Sequence, residues 1–104
     1  MRVYIAGPMR GIPDSNFPAF DAAAEYWRSK GWEVISPADH DREVLARGEE
    51  LNMREIILWD LNQVANCNFV SLLPGWENSS GAAVEIALAK FLNIEIGEMT
   101  DAVH

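Results

Sequence analysis

Short apolar runs rich in β-branched residues alternate along this chain with longer segments of helical periodicity. Strands separated by helices pair in parallel, because parallel neighbours need crossover connections, and right-handed crossovers are strongly preferred. The alternation therefore predicts an α/β fold, a doubly wound sandwich around a parallel sheet of four to five strands in the order of about 2-1-3-4. The predicted strands cover residues 2–6, 32–35, 69–73 and 94–96, and the predicted helices cover residues 16–31, 49–64 and 79–92.

The remaining segments are predicted to be connections or tail. Ser36 and Pro37 end the second predicted strand, and the acidic stretch that follows through Asp41 is predicted to be a loop. Residues 1–96 are expected to form a single domain. Residues 97–104 are expected to be a short C-terminal tail, poorly ordered unless a partner holds it.

Length and charge restrict the class of protein. A chain of 104 residues with 49 % hydrophobic residues can bury one small core. Its formal net charge of −8 argues against a nucleic-acid-binding surface, which needs clustered basic residues. No apolar run approaches the roughly 20 residues that span a bilayer, and the first residues form a strand pattern instead of a signal peptide. A cytoplasmic protein without membrane contact is expected, with Cys67 as a buried free thiol.

The predicted strand order places a ligand site at one edge of the sheet. In a doubly wound sheet of the flavodoxin or Rossmann-like type, ligands bind where the strand order reverses, here between the loops that leave the first and third strands. Those loops cover residues 7–14 and 74–80. Their glycines let the backbone approach a ligand, Arg10 offers a bidentate fork, and the helix that follows the second loop directs free N–H groups at an anion.

Glu85 is the most anomalous acidic residue for its position. The residues three and four positions away on its helical face are Ala82, Leu88 and Ala89, so its carboxylate is expected to point towards packed surface. A capping box would need Ser or Thr at position 82. A favourable interaction with the helix N-terminus remains the structural alternative to a catalytic role.

Asp60 repeats the anomaly on the preceding helix, where Met53, Ile57 and Val64 surround it at helical spacing. The structural alternative is an acid at the edge of the apolar stripe, paired with Arg54 or with water. Tyr4 is of a type common in strand cores, but its place near the end of the first strand brings its hydroxyl within reach of the same pocket.

Other candidates carry weaker signals. The run from Asp39 to Asp41 could supply metal ligands, but adjacent loop residues rarely converge on one ion, so no metal and no cofactor are expected. Trp76 could stack on a nucleobase or seal its loop onto the core, and Asn78 lies beside it. Trp59 suggests either a subunit contact or a half-buried ring.

With these residues assembled, the chain resembles the nucleoside 2-deoxyribosyltransferase-like superfamily, and within it the deoxynucleoside 5′-monophosphate N-glycosidases. Short phage-type proteins of uncharacterised function look similar too. The most specific parts of the likeness are the motif at residues 3–11 and the spacing of Ser79, Gly81 and Glu85, with Asp60 at the expected distance upstream. Departures are the unusual loop at residues 74–78 and the short segment after residue 96, since these enzymes tend to complete the pocket with a neighbouring subunit.

The resemblance implies a role for each matching residue. Glu85 would be the nucleophile, Tyr4 would hold it in position, and Asp60 would assist at the sugar or the leaving base. Nucleoside-handling relatives tend to carry Asp six residues before the catalytic Glu, whereas Ser79 can donate a hydrogen bond to a phosphate. The residues implied at the 5′-phosphate site are Gly7, Met9, Arg10, Gly11, Ser79 and Gly81, and possible base contacts are Trp76 and Asn78.

The expected function is therefore an N-glycosidase that cleaves the base–sugar bond of (deoxy)nucleoside 5′-monophosphates through a covalent glycosyl-Glu85 intermediate. A nucleoside deoxyribosyltransferase, an NAD-type glycohydrolase and a non-catalytic nucleotide-binding protein remain open as alternatives. The expected partners are a small nucleotide or nucleoside and further copies of the chain, in a homodimer or higher homo-oligomer.

Overall fold

The computed structural model describes residues 1–99. It is an α/β fold with a four-stranded, all-parallel sheet in the order β2-β1-β3-β4, as predicted. Short 3₁₀ segments at Pro13–Asn16 and Trp76–Asn78 precede α1 and α4. The strands are β1 (Arg2–Ala6), β2 (Glu33–Ile35), β3 (Phe69–Leu72) and β4 (Glu95–Glu98), and the helices are α1 (Phe17–Ser29), α2 (Pro37–Ala46), α3 (Met53–Ala65) and α4 (Ser80–Phe91).

The central strands β1 and β3 are covered on both faces, as expected for a parallel sheet. Alternate side chains of β1 enter two separate hydrophobic clusters, with Tyr4 in one and Ile5 in the other. The cluster around Tyr4 includes Val64 of α3 and Ile86 of α4, whereas the cluster around Ile5 contains residues of α1 and α2. Tyr4 therefore points towards the layer that carries both anomalous acids.

The connection after β2 is a helix, so the predicted loop is wrong. Ser36 occupies the N-cap position of α2 with extended backbone angles, Pro37 follows in the first turn, and Asp39 is an acid in that same turn. Proline is favoured at the first helical position and acids are favoured near a helix N-terminus. The Ser36–Pro37 pair, which suggested the end of a strand, thus also begins the next helix.

The C-terminal boundary also differs from the prediction. Strand β4 extends to Glu98, and the backbone N–H of Met99 donates to the carbonyl of Leu72 at 2.8 Å. Gly97 and Glu98 therefore belong to the sheet, where hydrogen bonding to β3 fixes them, and Met99 is buried. The predicted disorder of residues 100–104 lies outside the described residues.

The first turn of α3 begins four residues later than predicted. The side chain of Asn52 accepts hydrogen bonds from the backbone N–H groups of Arg54 and Glu55, at 3.0 and 3.2 Å, and so starts the helix. On the same helix, Trp59 is half-buried and stacks on His40 of α2 with ring centroids 3.8 Å apart. The ring contact joins α3 to α2. No helix within residues 1–99 combines the length and the apolar character needed to cross a membrane.

Gly7 brings the chain leaving β1 close to the end of β3. A Cβ atom at this position would lie 2.7 Å from the Cβ atom of Leu73, a fully buried residue that cannot move aside freely.

We expect Gly7→Ala to lower the free energy of unfolding by about 1–3 kcal/mol, because it overpacks a closed contact. Urea unfolding measures the change. Gly11→Ala is the comparison, since open space surrounds its Cβ position and only its positive φ of 75° opposes the substitution. Equal stability of Gly7→Ala and the parent protein would contradict the packing argument.

Candidate active site

A cavity of about 730 Å³ opens at the carboxyl ends of β1 and β3. Its wall combines the loop after β1, the starts of α2 and α4, and one face of α3. The strand order reverses between β1 and β3, so the cavity occupies the place where doubly wound sheets bind ligands. Both loops predicted to flank a ligand contribute to its lining.

At the base of this cavity, the hydroxyl of Tyr4 donates a hydrogen bond to Oε2 of Glu85 at 2.5 Å. Both side chains are buried, with Glu85 only 4 % exposed. The start of α4 positions the carboxylate: Ser79 accepts a hydrogen bond from the N–H of Ala82 at 3.1 Å and so caps the helix nearly two turns before Glu85. Tyr4 and Glu85, predicted to meet in one pocket, are therefore in direct contact.

Asp60 reaches the same place from α3. It is 7 % exposed and lines the cavity, and its Oδ1 atom has no hydrogen-bond partner among residues 1–99. Within those residues no ion pair joins Asp60 to Arg54, so the alternative of an edge acid paired with this arginine is wrong. A buried carboxyl oxygen without a partner is costly, which favours a ligand-directed role.

Burial raises the pKa of Glu85, and the nearby Asp60 raises it further, whereas the hydrogen bond from Tyr4 lowers it. Burial likewise raises the pKa of Asp60, to about 7; the nearby Glu85 and Tyr4 lower this pKa in part, and the negative charge of Asp41 raises it. Two close carboxyls in a poorly solvated site disfavour double ionisation. Burial also raises the pKa of Tyr4 well above its usual value, so its hydroxyl stays protonated and keeps donating.

Five of the six residues predicted for phosphate lie in the cavity wall. They are Gly7, Met9, Arg10, Ser79 and Gly81. Gly11 is outside that wall; it is exposed, and its φ of 75° serves the turn. Within residues 1–99, Arg10 and Arg54 are the arginines that form no ion pair, and both line the cavity. Their guanidinium groups therefore provide positive charge at the cavity of a protein that is acidic overall.

The two predicted base contacts separate in the structure. Asn78 lines the cavity, whereas Trp76 lies outside its wall. The indole N–H of Trp76 donates to Oε1 of Glu98 at 2.7 Å, and the ring packs against the hydrophobic cluster around Tyr4. The sequence allowed two interpretations of Trp76, and the structure supports the one in which its ring seals the loop onto the core.

Sequence reasoning missed Asp41 as a lining residue. This carboxyl on α2 is 5 % exposed, and burial raises its pKa. Its helix was predicted to be a loop, and the N-terminal signature at Ser36 and Pro37 was the signal that could have revealed it. Also missed were the apolar parts of the wall, which include Phe20, Pro37, Leu51, Met53, Ile56, Ile57 and Val84.

No group of three or more His, Cys, Asp or Glu side chains within residues 1–99 is arranged to hold a metal ion. The cavity presents carboxyls, arginines and the start of α4, and Tyr4 contacts one of those carboxyls, that of Glu85. A carboxylate fixed by a tyrosine beside a second carboxyl can serve as nucleophile or base, with the second carboxyl as proton donor.

Fold and site together define a class: a parallel, doubly wound α/β domain with a buried acid pair in a cavity at the carboxyl edge of its sheet. The family model described as a domain of unknown function, DUF4406, matches residues 1–98, and the chain belongs to this family. A comparison with curated proteins found no match.

Proposed function

We propose that this protein is an N-glycosidase that cleaves the base–sugar bond of (deoxy)nucleoside 5′-monophosphates. The observation that carries the proposal is the 2.5 Å hydrogen bond from Tyr4 to Glu85 at the base of the cavity, with Asp60 in the same wall. A buried carboxylate that is held at one oxygen leaves its other oxygen for attack on an electrophilic carbon. The resemblance to nucleotide N-glycosidases supports the same three residues.

The chemistry follows a double displacement. An oxygen of ionised Glu85 forms a bond to C1′ of the sugar while the bond from C1′ to the base nitrogen breaks, through an oxocarbenium-like transition state. Protonated Asp60 gives its proton to the departing base. Water then attacks C1′, releases the sugar 5-phosphate, and returns its proton to Asp60 as Glu85 leaves.

The scheme needs the two acids to carry one proton between them, with that proton on Asp60 when the base departs. Their proximity favours a pair that shares one proton near neutral pH. Burial raises the pKa of Glu85 to about 8 and that of Asp60 to about 7, so in the free protein the shared proton lies mainly on Glu85. The scheme therefore requires this proton to move to Asp60 as substrate binds, and the hydrogen bond that Tyr4 donates to Glu85 favours the negative charge left there.

The loop after β1 and the start of α4 support a substrate with a phosphate. Ser79 at the start of α4 and Arg10 after β1 both line the cavity, and a helix N-terminus with an arginine is a suitable anion site. The hydroxyl oxygen of Ser79 accepts from Ala82, so its proton remains free to be donated to an anion. Because the chain carries a net charge of −8, this local arrangement has to provide the attraction.

Incubation of the purified protein with each deoxynucleoside and ribonucleoside monophosphate, followed by chromatography of the free base, tests the proposal. The matching nucleosides without phosphate are the control, and we expect them to react at least about tenfold more slowly because charge-assisted contacts are lost. No base release from any monophosphate, at enzyme concentrations equal to the substrate, would refute the proposed activity.

The same assay distinguishes the alternatives. If the protein is a deoxyribosyltransferase, a second free base added as acceptor is joined to the sugar, and base exchange replaces hydrolysis. NAD among the substrates tests for an NAD-type glycohydrolase. A thermal shift with nucleotides but without base release would identify a non-catalytic binding protein.

Tyr4→Phe tests the positioning role of the tyrosine. We expect kcat/KM to fall about 10- to 100-fold, because a hydrogen bond to a charged group is lost. The acidic limb of the pH profile should move to higher pH, since the Tyr4 hydroxyl lowers the pKa of Glu85 and its removal lets that pKa rise. Tyr26→Phe is the matched control on α1, outside the cavity wall. An unchanged pH profile in Tyr4→Phe would contradict the assignment.

A further inference from the structure

Asp41 is a third acidic side chain in the cavity wall, and the mechanism above does not use it. It is 5 % exposed, and its Oδ1 atom has no hydrogen-bond partner among residues 1–99. The Nδ1 atom of His40 lies 3.5 Å from this oxygen, beyond the roughly 2.7–3.2 Å of an ordinary N–H···O bond. His40 is itself held against Trp59 by ring stacking. The protein thus leaves a buried acceptor without a good partner, on a residue that lines the cavity.

The surroundings of Asp41 differ from those of Ser79 and Arg10, the residues proposed to bind the phosphate. The apolar residues Phe20 of α1, Pro37 of α2, and Ile56 and Ile57 of α3 line the same cavity as Asp41 of α2. Ser79 and Arg10, in contrast, come from the start of α4 and from the loop after β1. Mostly apolar walls with a small number of polar groups, here Asp41 and Asp60, are typical of a pocket for a small organic molecule. A carboxyl would repel a phosphate, so Asp41 needs a neutral or cationic hydrogen-bond donor.

We propose that Asp41 selects substrates whose base carries an exocyclic amino group, by accepting a hydrogen bond from that group. The inference rests on the proposed function, because it assigns one end of the cavity to the base. Burial raises the pKa of Asp41, and His40 beside it lowers that pKa. The ionised carboxylate accepts hydrogen bonds but donates none, and this is the form that selects an amine. A base with a carbonyl in place of the amino group would set two acceptors against each other and leave both unpaired, a large penalty in a buried site.

Matched pairs of nucleotides test this contact. dCMP and dUMP differ at the base by an amino group in place of a carbonyl and by the hydrogen that the adjacent ring nitrogen carries in dUMP, and dAMP and dIMP differ in the same way. We expect the parent protein to favour the amino member of each pair at least about tenfold in kcat/KM. In Asp41→Asn the side-chain amide can donate to a carbonyl, so the preference should fall at least about tenfold.

Asp39→Asn is the matched control. Asp39 lies on the same helix and pairs with Arg28 and Arg42 at the surface, outside the cavity wall. Asp39→Asn should leave both kcat/KM ratios, dCMP to dUMP and dAMP to dIMP, as they are in the parent. Asp41→Ser, which shortens the side chain, provides the same measurement if Asp41→Asn does not fold.

Binding separates failure of this inference from failure of the proposed function. Calorimetric Kd values for the four nucleotides, measured with the parent and with Asp41→Asn, should show the same preference and the same loss. An Asp41-dependent preference in Kd without any base release would refute the cleavage activity and support base recognition by Asp41. Equal ratios in the parent and Asp41→Asn, in both binding and cleavage, would overturn the inference.

Discussion

Glu85→Gln is expected to lower the rate of base release at least about 10³-fold, since removal of a covalent nucleophile leaves only binding and positioning. Glutamine keeps the shape of the side chain and can still accept the hydrogen bond from Tyr4. Single-turnover measurement with the best monophosphate gives the rate. Glu77→Gln is the control, because Glu77 is exposed in the turn before α4 and lies outside the cavity wall. A Glu85→Gln rate within tenfold of the parent would exclude a glycosyl-Glu85 intermediate.

The stability of Glu85→Gln should show that its inactivity does not come from unfolding. Burial raises the pKa of Glu85 in the folded protein, so between the unfolded pKa and this raised value the folded state binds more protons than the unfolded state. The parent therefore loses stability as pH rises through that window, whereas the uncharged glutamine does not. We expect Glu85→Gln to be more stable than the parent by about 1–3 kcal/mol near pH 8, with the difference absent near pH 4. Urea unfolding at the two pH values checks the sign.

Asp60→Asn is expected to lower base release about 100-fold, because asparagine cannot supply a proton to the leaving base. The deficit should depend on the leaving group. A 2-deoxyribose 5-phosphate that carries 4-nitrophenolate at C1′ needs little protonation, so Asp60→Asn should cleave it at nearly the parent rate.

The two substrates assign the step in which Asp60 acts. An equal deficit with the nucleotide and with the activated glycoside would place the role of Asp60 at the sugar. Unimpaired cleavage of both would remove Asp60 from the mechanism. Asn62→Asp, on the same helix but outside the cavity wall, is the control for a changed charge on α3.

Helical and strand periodicity revealed the acid pair because each acid stands where an apolar residue belongs. Glu85 and Asp60 interrupt apolar faces of α4 and α3, and Tyr4 precedes the end of a buried strand, so the fold order alone brings them to one edge. Periodicity gave no such help with Asp41. Its short helix is largely polar, and the residues that start it were interpreted as the end of a strand. Side-chain contacts of loops, such as that of Trp76, depend on the tertiary packing of distant segments.

The hydrogen bond between Trp76 and Glu98 has a consequence for redesign of the protein. It ties the turn before α4 to the last strand, and Glu85 follows that turn by a little more than two helical turns. An insertion or deletion in residues 74–79 would shift α4 along its axis, and displacements of about 1 Å in a catalytic group can cost about 100-fold in rate. The exposed residues 47–50 precede Asn52, which caps α3, and Leu51 beside them reaches the cavity wall. Variation in length is therefore best introduced at residues 47–50, where new substrate contacts can be built without moving Glu85.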